Sequence, residues 1–153
     1  MEWRRMTEAD LPRVVALAAA AHPQHPEKPA VFAERLALAP GFCWVLGEGR
    51  GYALAHPWAG PVPPLDSLLG ALPAAAEVLH LHDIVLAPEA RGAGEAAAMV
   101  ARLAASGAAS GLGRMTLVAV AGKAGYWQRL GFTPLAEVAG YGAGASLMAR
   151  PLR

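Results

Sequence analysis

Two stretches of this chain hold groups suited to chemistry. In Val78-Leu-His-Leu-His-Asp-Ile-Val-Leu86, His80 and His82 stand two residues apart on a predicted strand, so they share a face with Ile84 and Leu86 while Asp83 turns to the other. Imidazole titrates near neutrality, and a histidine aimed into a site can take a proton from a substrate. The same pattern suits a pair of hydrogen-bonded core histidines. His-x-His also opens some metal sites, but no third ligand lies nearby in sequence and no metal is expected. The second stretch is Arg91-Gly-Ala-Gly-Glu-Ala96. Its small residues let successive backbone amides approach an anion at the start of a predicted helix, which is a phosphate cradle by construction.

That cradle has rivals. Gly92-Ala-Gly94-Glu-Ala-Ala97 satisfies a loose dinucleotide fingerprint. However, Ala87-Pro-Glu-Ala-Arg91 separates strand from glycine, no repeated βαβ series follows, and no acid between Ala96 and Ala136 is available to hold a ribose diol. Gly122-Lys123 lacks the glycine spacing and hydroxyl of a Walker loop. The plain alternative is a helix start that uses glycine only for its backbone freedom.

The elements that must position these groups can be read in order. Arg4-Arg5 is extended, and Thr7-Glu8-Ala9-Asp10 resembles a capping box opening a helix to about Ala21. A proline-punctuated loop from His22 leads to a second helix, about Ala30 to Leu38, which Pro40-Gly41 ends. Phe42 to Leu46 and Tyr52 to His56 read as a β-hairpin across Glu48-Gly-Arg-Gly51. Residues 57–76 form a long proline-rich stretch with one short helix near Asp66 to Leu72. Val78 to Leu86 is the strongest strand and should be central. A helix from about Gly94 to Ala108, a strand Met115 to Ala121, a helix Ala124 to Leu130, and strands near Phe132 to Val138 and Ser146 to Leu152 complete the chain. The order is β-α-α-β-β-β-α-β-α-β-β, an α/β (α+β) fold with a mixed sheet in one domain spanning 1–153.

With 153 residues, of which 55% are hydrophobic, the chain has enough apolar surface for one core, yet its longest apolar run is only Val14 to Ala21. No membrane span is expected. The start has charges but no apolar run behind them, so a cytoplasmic protein is expected. Cys43 has no partner for a disulfide. The net charge of +1 argues against nucleic-acid binding. Its distribution is uneven: ten acids and six bases lie in residues 1–90, against two acids and seven bases in residues 91–153. The second half suits a small polyanion, the first a neutral or cationic ligand.

Leu86-Ala-Pro-Glu-Ala-Arg-Gly-Ala-Gly-Glu-Ala96 resembles the GNAT signature Val-x-Pro-x-x-Arg-Gly-x-Gly-x-Gly/Ala, and Tyr126-Trp-Gln-Arg-Leu-Gly-Phe132 resembles the later Phe-Tyr-Glu-Lys-Leu-Gly-Phe motif of the same N-acetyltransferase superfamily. The predicted strand order agrees with that fold over the whole chain. The resemblance implies acetyl-CoA as acyl donor, with its pyrophosphate on the amides of Arg91, Gly92, Ala93, Gly94, Glu95 and Ala96. Its pantetheine arm would pair with Ile84, Val85 and Leu86, the Leu86 amide would polarise the thioester carbonyl, and Lys123 or Arg129 would reach the adenosine end. His80-Leu-His82 is similar to the paired histidines of arylalkylamine N-acetyltransferases, which makes His80 first and His82 second as general base. The family's usual tyrosine acid is replaced by Trp127, whose indole is no acid, with Tyr141 the candidate substitute and Tyr126 expected in the core. The acceptor pocket is expected from His22, His25, His56, Trp58 and the segment around Tyr141. The activity implied is direct acetyl transfer to a primary amine of a small molecule, aromatic amines among the candidates, in a ternary complex without a metal. The alternative is a non-catalytic CoA-binding or sensor module on the same fold, consistent with Trp127. Members of the superfamily often form homodimers.

Overall fold

A computed structural model describes residues 1–152. The strands are β1 (Trp3–Arg5), β2 (Cys43–Leu46), β3 (Gly51–Trp58), β4 (Val78–Leu86), β5 (Arg114–Ala119), β6 (Thr133–Glu137) and β7 (Ser146–Pro151). The helices are α1 (Leu11–Ala21), α2 (Pro29–Leu38), α3 (Glu95–Ala109) and α4 (Ala124–Arg129). All strands join one sheet in the order β1-β2-β3-β4-β5-β7-β6, antiparallel except for the β4–β5 pair. The predicted element order holds, with one correction. The helix expected near Asp66 to Leu72 is absent, and residues 59–77 run as an irregular strap.

Carboxylates take the place of helical hydrogen bonds in that strap. Glu34 of α2 accepts the amides of Leu69 and Gly70 at 2.6 and 2.8 Å, and Glu27 accepts the Asp66 amide at 2.8 Å. Arg35, fully enclosed, donates to the Ser67 carbonyl at 3.1 Å. Each bond satisfies a backbone or charged group that would otherwise sit unpaired near the core.

The sheet divides two cores. On one face α3 and α4 pack with Trp44, Ala53, Leu79, Leu81, Met115 and Met148. On the other, α1 and α2 cover Cys43, Val45, Tyr52, Leu54 and Val85. Alternation along β4 breaks once. Leu54 opposes Asp83 and Ala55 opposes Leu81, which leaves His82 as an extra, unopposed residue. Such a β-bulge adds one residue to one strand and exchanges the faces beyond it. Thus Leu79 and Leu81 face α3 before the bulge, and Ile84 does so after it. The expectation that Asp83 turns away from the histidines is corrected, because the bulge brings His82 and Asp83 to the α1–α2 face together. Ile84 and Leu86, expected beside the histidines, lie on the opposite face.

Candidate active site

β4 and β5 pair only at Val78 with Arg114, Leu79 with Met115 and His80 with Thr116, then diverge. On its other side β4 stays paired to β3 as far as Leu86, and the Ala87 amide donates to the Arg50 carbonyl at 2.9 Å. Antiparallel pairing alternates, so Ala87 and Val85 direct their backbone groups toward β3 while Leu86 and Ile84 direct theirs into the gap left by β5. The Leu86 carbonyl accordingly accepts Arg91 Nε at 3.2 Å. The gap opens into a cavity of about 780 Å³. Its walls are strand ends, which hold the vacant peptide groups at fixed positions.

From the α3–α4 side, Arg91, Ala96 and Lys123 line this cavity together with Ile84, Val85 and Leu86 of β4. Between Arg91 and Ala96, Gly92 and Gly94 adopt φ of +86° and +78°, and a Cβ on either would meet no atom within 4 Å. A left-handed backbone with open space above it is the shape of an anion cradle. The first hydrogen bond of α3 runs from the Ala98 amide to the Gly94 carbonyl, so the amides ahead of it have no partner within the helix. Gly92, Ala93, Gly94 and Glu95 join Arg91 to Ala96, the two residues of this loop that line the cavity. These residues fit a pyrophosphate group.

The α1–α2 side contributes titratable groups. His82 Nε2 lies 2.8 Å from Glu27 Oε1, with both side chains almost enclosed. Burial would raise the Glu27 carboxyl, but the hydrogen bonds from His82 and the Asp66 amide outweigh it and hold its pKa below the ordinary range. His22, at the end of α1, places Nε2 3.1 Å from Asp83 Oδ1, and Tyr52 Oη donates to Asp83 Oδ2 at 2.5 Å. Burial likewise pushes Asp83 up, and its bond to His22 turns the balance downward. His22, His25, Glu27, His82, Asp83 and Tyr141 all line the cavity.

Three expected site residues stand elsewhere. His80 is 2% exposed, bonded through Nδ1 to Thr116 Oγ1 at 2.9 Å and lying against His56 with ring centroids 5.6 Å apart. Burial drives its pKa well below the ordinary value, so it is a neutral core histidine outside the cavity. His56 is fully buried, its pKa pushed down to about 4 by burial. Trp58 donates its indole N–H to the Pro61 carbonyl at 2.8 Å. His56 and Trp58 therefore contribute nothing to the cavity wall. Their positions follow from β3: alternation sends His56 to the buried face beside His80, and Trp58, at the strand end, is tied to the strap through Pro61.

The aromatic residues exchange parts as well. Tyr126, expected in the core, is 37% exposed and lines the cavity, while Trp127 lines it and also packs on Phe132 and the core. Tyr141 reaches the cavity but donates its hydroxyl to the Pro63 carbonyl at 2.7 Å, and burial pushes its pKa up to about 12. Sequence reasoning missed Glu27. Glu27 meets His82 across 55 positions of sequence, and no local spacing signals such a contact.

The profile of the acetyltransferase (GNAT) family matches residues 3–132. The chain belongs to the acetyltransferase (GNAT) family. Solved structures of this fold superpose over nearly its whole length. The GphF GNAT-like decarboxylase in complex with isobutyryl-CoA aligns at TM-score 0.83 and 19% identity, covering 100% of both chains. Ard1 from Thermoplasma volcanium aligns at 0.79 and 12%, covering 99% of this chain and 97% of that one. Naa20 of Chaetomium thermophilum with a bisubstrate analogue aligns at 0.78 and 19%, covering 99% and 87%. No curated protein sequence matches the chain. As a GNAT protein it is an acetyl-CoA-dependent acetyltransferase, and no helix among the described residues is long and apolar enough to cross a membrane.

Proposed function

We propose that this GNAT protein moves acetyl from acetyl-CoA directly to a primary amine of a small molecule in a ternary complex. The observation that carries the reading is the β4–β5 gap, where one cavity joins a free strand edge and an anion cradle to a cluster of carboxylates and imidazoles. Bound acetyl-CoA would supply a thioester as the activated acyl group. The amides of the Arg91 to Ala96 loop bind its phosphates, with Lys123 and Arg129 adding positive charge from the α4 side. Ile84 and Leu86 offer the backbone groups for its pantetheine arm, and the Leu86 amide is aimed to stabilise charge growing on the thioester oxygen.

Glu27 and Asp83 give the acceptor side a negative field that favours an incoming ammonium over an anion. Leu65, Tyr126 and Tyr141 add apolar and aromatic surface. This supports an amine with an apolar or aromatic body, the kind implied by the likeness of the His80–His82 strand to arylalkylamine N-acetyltransferases. An ammonium must lose a proton before attack, and His22 and His82 are the cavity imidazoles that a carboxylate prepares to take it. His80, enclosed and bonded to Thr116 away from the cavity wall, is not among them.

Thermal unfolding with acetyl-CoA, CoA, NADH and ATP in parallel tests the donor. A ligand that binds only the folded state raises the midpoint by mass action. A selective rise with the CoA species, followed by thiol release that depends on an added amine, is the expected result. A rise without amine-dependent thiol release would favour the non-catalytic CoA-binding module, and no rise at all would overturn both.

A further inference from the structure

Resting on the acyltransferase reading above, we propose that His22 is the base that receives the acceptor's proton and that Asp83 and Tyr52 are the positioning residues that prepare it. The side chain of His22 is 40% exposed, whereas that of His82 is 2% exposed, so of the two carboxylate-bonded imidazoles at the cavity His22 is the one a substrate nitrogen can approach. Its Nε2 is held by Asp83 Oδ1, which leaves Nδ1 without a protein partner among the described residues. Asp83 in turn is fixed by the Tyr52 hydroxyl on its other oxygen. Tyr52 is fully buried, edge-on to Phe32 at 6.3 Å between centroids, and has no room to swing. The three groups come from β3, β4 and the end of α1, and they form a continuous path from the core to the cavity wall. Only the bulge at His82 makes it, because in regular alternation Asp83 would face α3.

An Nε2–H donated to the carboxylate sets the tautomer in which Nδ1 accepts. The acceptor's ammonium passes one proton to Nδ1, and the N–H bonding pair stays on nitrogen. That pair forms the bond to the thioester carbon. The C–S bond then breaks, and the amine's second proton leaves with the thiolate, giving amide and thiol. Asp83 remains ionised throughout and stabilises the imidazolium, which later returns its proton to solvent.

The charged and titratable groups facing His22 are His25 and Glu27 from the loop after α1, His82 and Asp83 from β4, Tyr52 from β3 and Tyr141 from the β6–β7 loop. The Asp83 hydrogen bond outweighs burial and raises His22 above its ordinary range, and Glu27 adds to it.

The test is the pH profile of kcat/KM at saturating acetyl-CoA, with NMR titration of the His22 ring, for wild type, H22Q, D83N and Y52F. H22Q is expected to lower kcat about 100-fold and remove the acid limb, with the KM for acetyl-CoA within about twofold of wild type. D83N should move the limb and the ring titration down by about one pH unit, and Y52F should move both up by a few tenths, since Asp83 then accepts one bond fewer and holds the imidazolium more strongly. Opposite displacements at one imidazole are not produced by loss of structure, which would lower kcat and leave the limb in place. Transfer that survives H22Q with its acid limb intact, or a ring titration indifferent to D83N, overturns the relay alone. Absence of transfer by the wild-type protein while acetyl-CoA still binds overturns the reading beneath it, and the relay with it.

Discussion

Gly94 shows how a single residue can serve shape and chemistry at once. Its φ of +78° is costly for any L side chain, and the space above it is empty. A Gly94→Ala substitution should therefore cost about 1 kcal/mol of stability through strain alone. It should also raise the KM for acetyl-CoA about tenfold by narrowing the cradle, with kcat nearly unchanged, as steady-state kinetics would show. Tyr141 gives the contrasting case. Its hydroxyl is committed to the Pro63 carbonyl, so Tyr141→Phe should lower stability by about 1 kcal/mol and leave the pH profile in place. Cys43, fully enclosed with its thiol pushed up to about 12 by burial, is inert packing.

Among the elements, α1 depends on charge at its start. Arg4 donates to both oxygens of Asp10 at 2.8 and 2.9 Å, and Asp10 accepts the Thr7 amide at 2.9 Å. Those bonds hold the Asp10 carboxyl at about 2, against an ordinary 3.8. The unfolded chain takes up the proton first, so the pair stabilises the fold above the ordinary value, and that contribution is lost as pH falls from 3.8 to about 2. Because Arg4 is 40% exposed, solvent screening reduces the effect to about 1 kcal/mol. Asp10→Asn should thus unfold at a lower temperature than wild type at neutral pH, with the difference closing at pH about 4 to 2 in thermal scans. β4 is the other decisive element, since one inserted residue assigns each of its polar side chains to a face.

Over the whole molecule, buried imidazoles make the fold sensitive to acid well before its carboxylates protonate. His56 accepts a proton only at about 4 in the folded state, against an ordinary 6.5, and His80 lies well below its ordinary value too. The unfolded chain binds those protons earlier, so stability is full above 6.5 and falls as pH drops toward 4. The loss attributable to His56 is on the order of 3 kcal/mol. Urea midpoints measured across that window should fall steadily, and less steeply in His56→Gln. Much of this architecture is legible in the sequence. The glycine loop between strand and helix, the free helix start and the element order all depend on residues close together in the chain, where backbone preference and apolar period act directly. That local information was sufficient to determine the family. Which histidines face the cavity was decided by tertiary structure alone, because it depends on how β4 registers against β3 and on which loops cover its two faces. His80 and His82 look equivalent by spacing, yet strand pairing buries one against Thr116 and hands the other to Glu27, while the bulge turns Asp83 to a histidine 61 positions away in the chain.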